Sequence, residues 1–206
     1  IEENILEESL ININIIISET QKKYVERVNI FGNNITQERV IREQLLVDEG
    51  DAYNELLQTK SINNLKSLNI FKDVKATVNK GSTDLNKIVN ITVEEKPTGE
   101  ISLGAGVGTD GNTIGFAVSE NNYMGKGIKL RSSLRLSTDT VRGQFSILNP
   151  NYKYSDKSLF TNIQSTQTDK LSNNGYKSTK TGFSLGTKFE QYENFYFNPS
   201  INSFYE

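Results

Sequence analysis

The sequence predicts an α+β unit of order β-α-α-β-β, followed by a long run of antiparallel strands of the membrane-barrel type. Three observations carry this expectation. Apolar residues recur at helical spacing in two stretches between residues 36 and 68. From Pro97 onward they alternate with polar residues at a period of two. The strands marked in this way run to about ten residues, the length of a tilted membrane crossing.

The elements follow in chain order. Residues 10–17, LININIII, set Ile11, Ile13, Ile15 and Ile17 on one face and Asn12 and Asn14 on the other, which is a strand; Ser18-Glu19-Thr20 breaks it. Residues 24–30, YVERVNI, form the next strand, and Phe31-Gly32-Asn33-Asn34 turns the chain. Thr36 is the expected N-cap of a short helix, because its hydroxyl can accept from an orphan N–H, and Glu38 suits the positive end of that helix. Val40, Ile41 and Leu45 give its apolar face, and Glu49-Gly50-Asp51 ends it. Asn54 is placed to cap a second helix whose stripe is Leu57, Ile62, Leu65 and Leu68. Strands at 71–79 and 88–95 close the unit through Gly81-Ser82-Thr83-Asp84. KIVNITVEEK at 87–96 echoes ININIIISET at 11–20, so residues 1–20 are expected to be the tail of a preceding copy of the unit that spans 21–96. Ile1 follows no signal segment and Glu206 falls inside an alternating run, so the chain is expected to continue on both sides.

Beyond Pro97, strands are expected at 100–109, 112–120, 127–136, 140–149, 158–167, 179–190 and 195–205. In GIKLRSSLRL, Ile128, Leu130, Leu134 and Leu136 face one way and Lys129, Arg131, Ser133 and Arg135 the other. A soluble β-domain would also alternate. Strand length favours a barrel, as do the aromatics gathered at strand ends: Tyr123, Tyr152, Tyr154, Tyr192 and Tyr196. Within GAGVGTDG, Gly106, Gly108 and Gly111 match the G-x-G-x-x-G spacing of a dinucleotide loop. That loop needs a following helix and an acidic residue about twenty positions on. Here a period-two run follows, and Arg131 stands near the required position.

Composition narrows the chemistry. The chain has 206 residues, a net charge of −2, and neither Cys nor His. Disulfides, Ser-His-Asp and Cys-His catalysis, and ordinary zinc sites are thereby excluded from it. No global basic field argues for nucleic acid. Mean hydropathy is −0.51, and no apolar run approaches the ~20 residues of a membrane helix. Barrel strands are half polar, so this says nothing against them.

Three stretches together resemble the last POTRA domain and first barrel strands of the Omp85 family: VNIFGNNITQERVIREQLLVDEGDAYN, SINNLKSLNIFKDVKATV, and IVNITVEEKPTGEISLGAGVGTDGNTIGFAVSENNYMGKGIKL. The marks are Gly32-Asn33, Arg42, Glu49-Gly50, the run from Leu68 to Val74, Val93-Glu94-Glu95, Tyr123-Met124-Gly125-Lys126-Gly127 and Asn149-Pro150. The resemblance covers essentially the whole chain. It implies an α+β POTRA domain at 21–96 in the periplasm and, at 97–206, the N-terminal part of a transmembrane β-barrel in the bacterial outer membrane. It implies a protein that folds and inserts β-barrel proteins, not an enzyme, with no cofactor and no metal. The implied partners are lipoproteins of an assembly complex, unfolded outer-membrane clients and outer-membrane lipid, and no nucleic acid. An Omp85-type translocation pore, of the two-partner-secretion or autotransporter-assembly kind, is the alternative. Some relatives carry a fused hydrolase, but this chain holds no G-x-S-x-G elbow.

The resemblance also assigns roles. Glu49 and Gly50 are expected to contact a lipoprotein partner. The strand of Ile101, Leu103, Gly104, Ala105, Gly106, Val107 and Gly108 is expected to be a lateral seam that unpairs and templates a client strand. In it the apolar residues would face lipid and the glycines the lumen. Lys129, Arg131 and Arg135 are expected to line that lumen.

Overall fold

The computed structural model describes residues 2–7, 10–14, 21–108, 111–171 and 175–206. Strands β1 (Glu2–Glu7) and β2 (Leu10–Asn14) pair antiparallel. The strand expected at 10–17 is therefore seen over its first five residues, and its remainder lies outside the described residues.

The α+β unit has the expected order: β3 (Tyr24–Phe31), α1 (Glu38–Arg42), α2 (Glu55–Ser67), β4 (Phe71–Lys80) and β5 (Asn86–Glu95). Its sheet runs β3-β5-β4, with β3 parallel to β5 and β4 antiparallel to it. A parallel pair needs a crossover, and the two helices lie in the connection that carries the chain from β3 to the far side of the sheet. Val25 and Val28 of β3, Val74 of β4, and Val89, Ile91 and Val93 of β5 form the core with Ile41 of α1 and Leu65 of α2. Leu57, Ile62 and Leu68 pack against that core, so the predicted helical stripe is the buried one. Asn54 caps α2, its Oδ1 accepting from the Leu56 and Leu57 N–H groups at 2.9 and 3.3 Å. Asn54→Ala should therefore cost about 1 kcal/mol, read as a lower urea midpoint with unchanged slope.

Helix α1 departs from expectation at both ends. Its N-cap position is Gln37, which makes no side-chain cap, rather than Thr36. The Thr36 hydroxyl is taken elsewhere, by the side chain of Asn122. The helix also stops at Arg42, well short of Glu49. Leu46 N–H donates to Ser61 Oγ of α2 at 2.8 Å, which pulls the chain off the helical path and delivers Leu45 and Val47 to the core.

From Gly99 onward the elements described over their full length are strands, apart from a short 3-10 turn at Tyr152–Tyr154. The strands are β6 (Gly99–Gly108), β7 (Gly111–Tyr123), β8 (Ile128–Ser137), β9 (Thr140–Asn149), β10 (Ser158–Lys170), β11 (Tyr176–Tyr192), β12 (Phe195–Phe197) and β13 (Ser200–Tyr205). Neighbours in sequence pair antiparallel from β6 to β12, and β13 also pairs with β11. Strand β7 begins at Gly111 where the dinucleotide loop needs a helix, so that reading is overturned. Gly111 has φ +82°, a turn conformation at the start of a strand. The strand expected at 195–205 is broken at Asn198-Pro199. Proline has no N–H for the ladder, and its carbonyl instead accepts from Thr187 N–H at 3.1 Å. Strands β10 and β11 run further than expected; Lys177 and Asp169 face each other near their shared end, 2.8 Å apart.

Candidate functional site: a two-faced sheet, its open edge, and a docked α+β unit

Residues paired across antiparallel strands share a face. One row reads Ile101, Val118, Ser132, Phe145, Ile163 and Phe183. The next reads Leu103, Phe116 and Leu134. The opposite face carries Gly104, Gly115, Arg135, Arg142, Thr166 and Lys180 in one row. A second polar row is Ser102, Ala117, Ser133, Gln144 and Gln164. The apolar face is open: Phe116, Leu134, Phe145, Ile163 and Phe183 are all exposed. A sandwich would bury these side chains under a second sheet, and among the described residues none lies there. Such a surface is unfavourable in water and suited to hydrocarbon.

Arg131 and Arg135 lie on the polar face and line one hollow with Gly104, Gly106 and Gly115. Lys129, two residues before Arg131 on β8, shares that face by alternation. Two of the sequence-predicted basic trio are thus brought together with the glycines of β6, and Lys129 shares only their face.

Strand β6 pairs with β7 alone among the described residues. Ile101, Leu103 and Val107 are 74, 79 and 86% exposed, so neither the edge nor the apolar side of the strand is covered. A Cβ placed on Gly104, Gly106 or Gly108 would meet nothing within 4 Å.

Glu49 and Gly50 sit apart from this sheet. Glu49 Oε1 accepts from Val28 N–H at 3.0 Å and lies 3.9 Å from Arg42 Nη1, while Arg42 Nη2 donates to Val28 O at 3.1 Å. Gly50, at φ +94°, donates its N–H to Val25 O at 2.7 Å. The loop therefore seals the outer edge of β3 with its own groups. The other outer edge of the three-stranded sheet, that of β4, has no partner strand among the described residues.

The α+β unit is seated on the β7–β8 turn. Asn122 Nδ2 donates to Thr36 Oγ1 at 2.8 Å, and both residues are buried, 6 and 2% exposed. Asn122 Oδ1 also accepts from Gly127 N–H at 2.8 Å, holding the turn closed. Gln37 N–H donates to Gly125 O at 2.8 Å. Glu95, at the end of β5, accepts from the N–H groups of Asn34, Ile35 and Thr36 at 2.9, 3.0 and 2.6 Å. Burial pushes its carboxyl up, but these hydrogen bonds, with that of the Thr36 side chain, outweigh it and hold the group below the ordinary carboxylate range. In the cleft beside the joint, burial pushes the Glu43 carboxyl up, against hydrogen bonding by Asn151 and the charge of Arg39. Thr36, Glu95 and Asn122 were not singled out by sequence reasoning as a group. Asn122 immediately precedes the YMGKG mark, the one available signal.

The comparisons with known proteins fit this geometry. The family model for POTRA, described as "Surface antigen variable number repeat", matches residues 23–96. The outer membrane protein assembly factor BamA of Buchnera aphidicola is 34% identical over 123 residues, covering 59% of this chain and 20% of that protein. BamA of Neorickettsia risticii is 33% identical over 112 residues, covering 54% and 15%. The chain thus spans a fifth or less of the length of these curated relatives. The crystal structure of BamA from Haemophilus ducreyi lacking POTRA domains 1–3 superposes with a TM-score of 0.79 at 22% identity, over 98% of this chain and 39% of that one. CdiB from Acinetobacter baumannii gives 0.55 at 13% identity, over 89% and 39%.

Fold and matches together define a POTRA domain joined to antiparallel strands of an outer-membrane β-barrel. Residues 23–96 match the POTRA family, and the chain as a whole resembles BamA of the Omp85 family. Its place is the outer membrane, with the POTRA domain in the periplasm.

Proposed function

We propose that this protein folds and inserts β-barrel proteins into the outer membrane. In this reading residues 21–96 are the POTRA domain next to the barrel, 97–206 are the first part of the barrel, and 1–20 are the tail of a preceding POTRA domain. The single observation that carries the proposal is the two-faced sheet, apolar and exposed from Ile101 to Phe183 on one side and polar with Arg131 and Arg135 on the other, whose first strand β6 bears glycines. An unpaired backbone group in hydrocarbon costs several kcal/mol, so wherever β6 parts from its closing strand an incoming client strand gains strongly by pairing with it. The client's own pairing and burial drive insertion, and the chain supplies a template rather than a chemical step. Lys129, Arg131 and Arg135 keep the polar side wet, as a barrel interior requires.

In the periplasm the POTRA sheet offers one edge for strand addition, β4, since the Glu49 loop occupies the edge of β3. Glu49 remains partly exposed while it holds β3, and with Gly50 it forms the surface proposed to meet a lipoprotein of the assembly complex. The full-length protein in liposomes should accelerate insertion of a urea-unfolded β-barrel client, scored by protease protection and heat-modifiable gel mobility. Insertion no faster than in empty liposomes would refute the proposal. The rival reading is an Omp85-type translocation pore of the two-partner-secretion or autotransporter-assembly kind. A pore would move a soluble passenger across the liposome wall and leave barrel insertion at the empty-liposome rate.

A further inference from the structure

The linker from β5 to β6 is short, and each of its ends is fastened. Lys96 N–H donates to Ile70 O at 3.3 Å and Lys96 Nζ to Asn69 Oδ1 at 2.6 Å, both on the POTRA side. On the sheet side the Thr98 hydroxyl bonds Glu120 of β7, and Asn121 N–H donates to Thr98 O at 3.2 Å. One attachment at a linker would leave the domain free to swivel about it. The Thr36–Asn122 bond supplies a second, on a different pair of elements and 86 residues apart in sequence. Two separated attachments restrict the swivel to the line that joins them.

The second attachment has the marks of a built joint. Glu95 fixes the 34–36 loop by three backbone hydrogen bonds, so the Thr36 hydroxyl is presented in one place. Glu120 accepts from Asn122 N–H at 2.7 Å, so the linker anchor and the joint share a residue. Gly125, at φ +69°, lets the turn lie against the Ile35 carbonyl, which a Cβ would approach to 2.0 Å. Gly127, at φ +67°, sits over Val40, where a Cβ would come within 3.2 Å of Cγ1.

We propose that Thr36, Glu95 and Asn122 are positioning residues that clamp the POTRA domain to the base of the β6–β7 hairpin, so that the β4 edge and strand β6 keep one relative orientation during client transfer. The transfer role rests on the function proposed above; the clamp itself does not. Holding the two edges in fixed relation shortens the search a client strand makes in passing from one to the other, by the same logic that links effective concentration to a rigid spacer.

The test uses full-length protein in nanodiscs, with hydrogen exchange at Gln37, whose N–H reaches Gly125 O only when the joint is closed. Thr36→Val keeps shape but leaves buried Asn122 without its acceptor, so exchange at Gln37 should rise about tenfold. Thr36→Ser keeps the hydroxyl and should behave as the parent protein. Gly125→Ala, which clashes at the joint from the barrel side, should reproduce Thr36→Val. Exchange at Ile91, deep in the POTRA core, should stay unchanged in all three. Client insertion should slow about tenfold in the two loosened variants and be normal in Thr36→Ser. A protected Gln37 in Thr36→Val, an equal rise at Ile91, or a Thr36→Ser as loose as Thr36→Val would each overturn the clamp. A loosened joint with normal insertion would overturn the positioning role. Absence of insertion by the parent protein would instead overturn the proposed function, leaving the clamp to be judged by exchange alone.

Discussion

Phe145→Arg in the full-length protein should prevent formation of the heat-modifiable barrel, while Gln144→Leu on the same strand should leave it intact. Phe145 sits mid-strand in β9, in the apolar row between Ser132 and Ile163. A guanidinium there would lie near the bilayer midplane on the lipid side, at a cost of about 2–4 kcal/mol. Gln144 faces the polar side, where its Nε2 donates to Asn162 Oδ1 at 2.9 Å. Leucine at that position forfeits one exposed hydrogen bond, about 1 kcal/mol at most. The neighbouring strand shows why the site matters. Leu130 also lies on the apolar face, but its cross-strand partner is Glu120, a carboxylate that would answer an introduced arginine. Equal tolerance of the two substitutions in membranes would mean that the sheet meets water on both faces.

The ease with which this fold is read from its sequence follows the range of the interactions involved. Helix α2 is legible because its cap and stripe are local: Asn54 bonds two residues three positions away or nearer, and Leu57 to Leu68 face inward by helical period alone. The two faces of the barrel sheet are legible for the same reason, since alternation needs no knowledge of the partner strand. The ends of helix α1 are not legible in this way, because what decides them is distant. The Thr36 hydroxyl serves Asn122 rather than its own helix, and the Ser61 hydroxyl, 15 residues on, ends the helical path at Leu46. Glu49 stands in a turn by sequence, and the strand its carboxylate bonds lies 21 residues earlier. The break at Pro199 was visible in principle, because a proline inside an alternating run cannot join the ladder on both sides. That β6 is a seam could not come from alternation at all. It rests on which strands flank it, and the expectation of a seam came from the family resemblance alone.

The seam invites the most decisive experiment. A cysteine at Val107, paired with one on the closing strand of the full-length barrel, should form a disulfide that stops client insertion, and reductant should restore it. Val107 lies one residue from the end of β6 and is 86% exposed, so the substitution disturbs no packing among the described residues. The chain has no native Cys, which leaves the introduced pair without competitors among these residues. A disulfide forms when the two Cα atoms lie about 4.4–6.8 Å apart, a separation reached by paired neighbouring strands and not by separated ones. Crosslinking therefore traps the closed seam and removes the free edge that a client would join. The barrel should remain folded, because the bond adds a constraint to a pairing already present and breaks none. The glycines sharpen the expectation. Among the described residues nothing lies within 4 Å of a Cβ at Gly104 or Gly106, and the effect of these glycines is expected on strand pairing, which glycine weakens. Locking the strand should thus cancel what those glycines contribute. Normal insertion by a fully oxidised, folded protein would reduce β6 to a wall of the barrel and place client entry somewhere else.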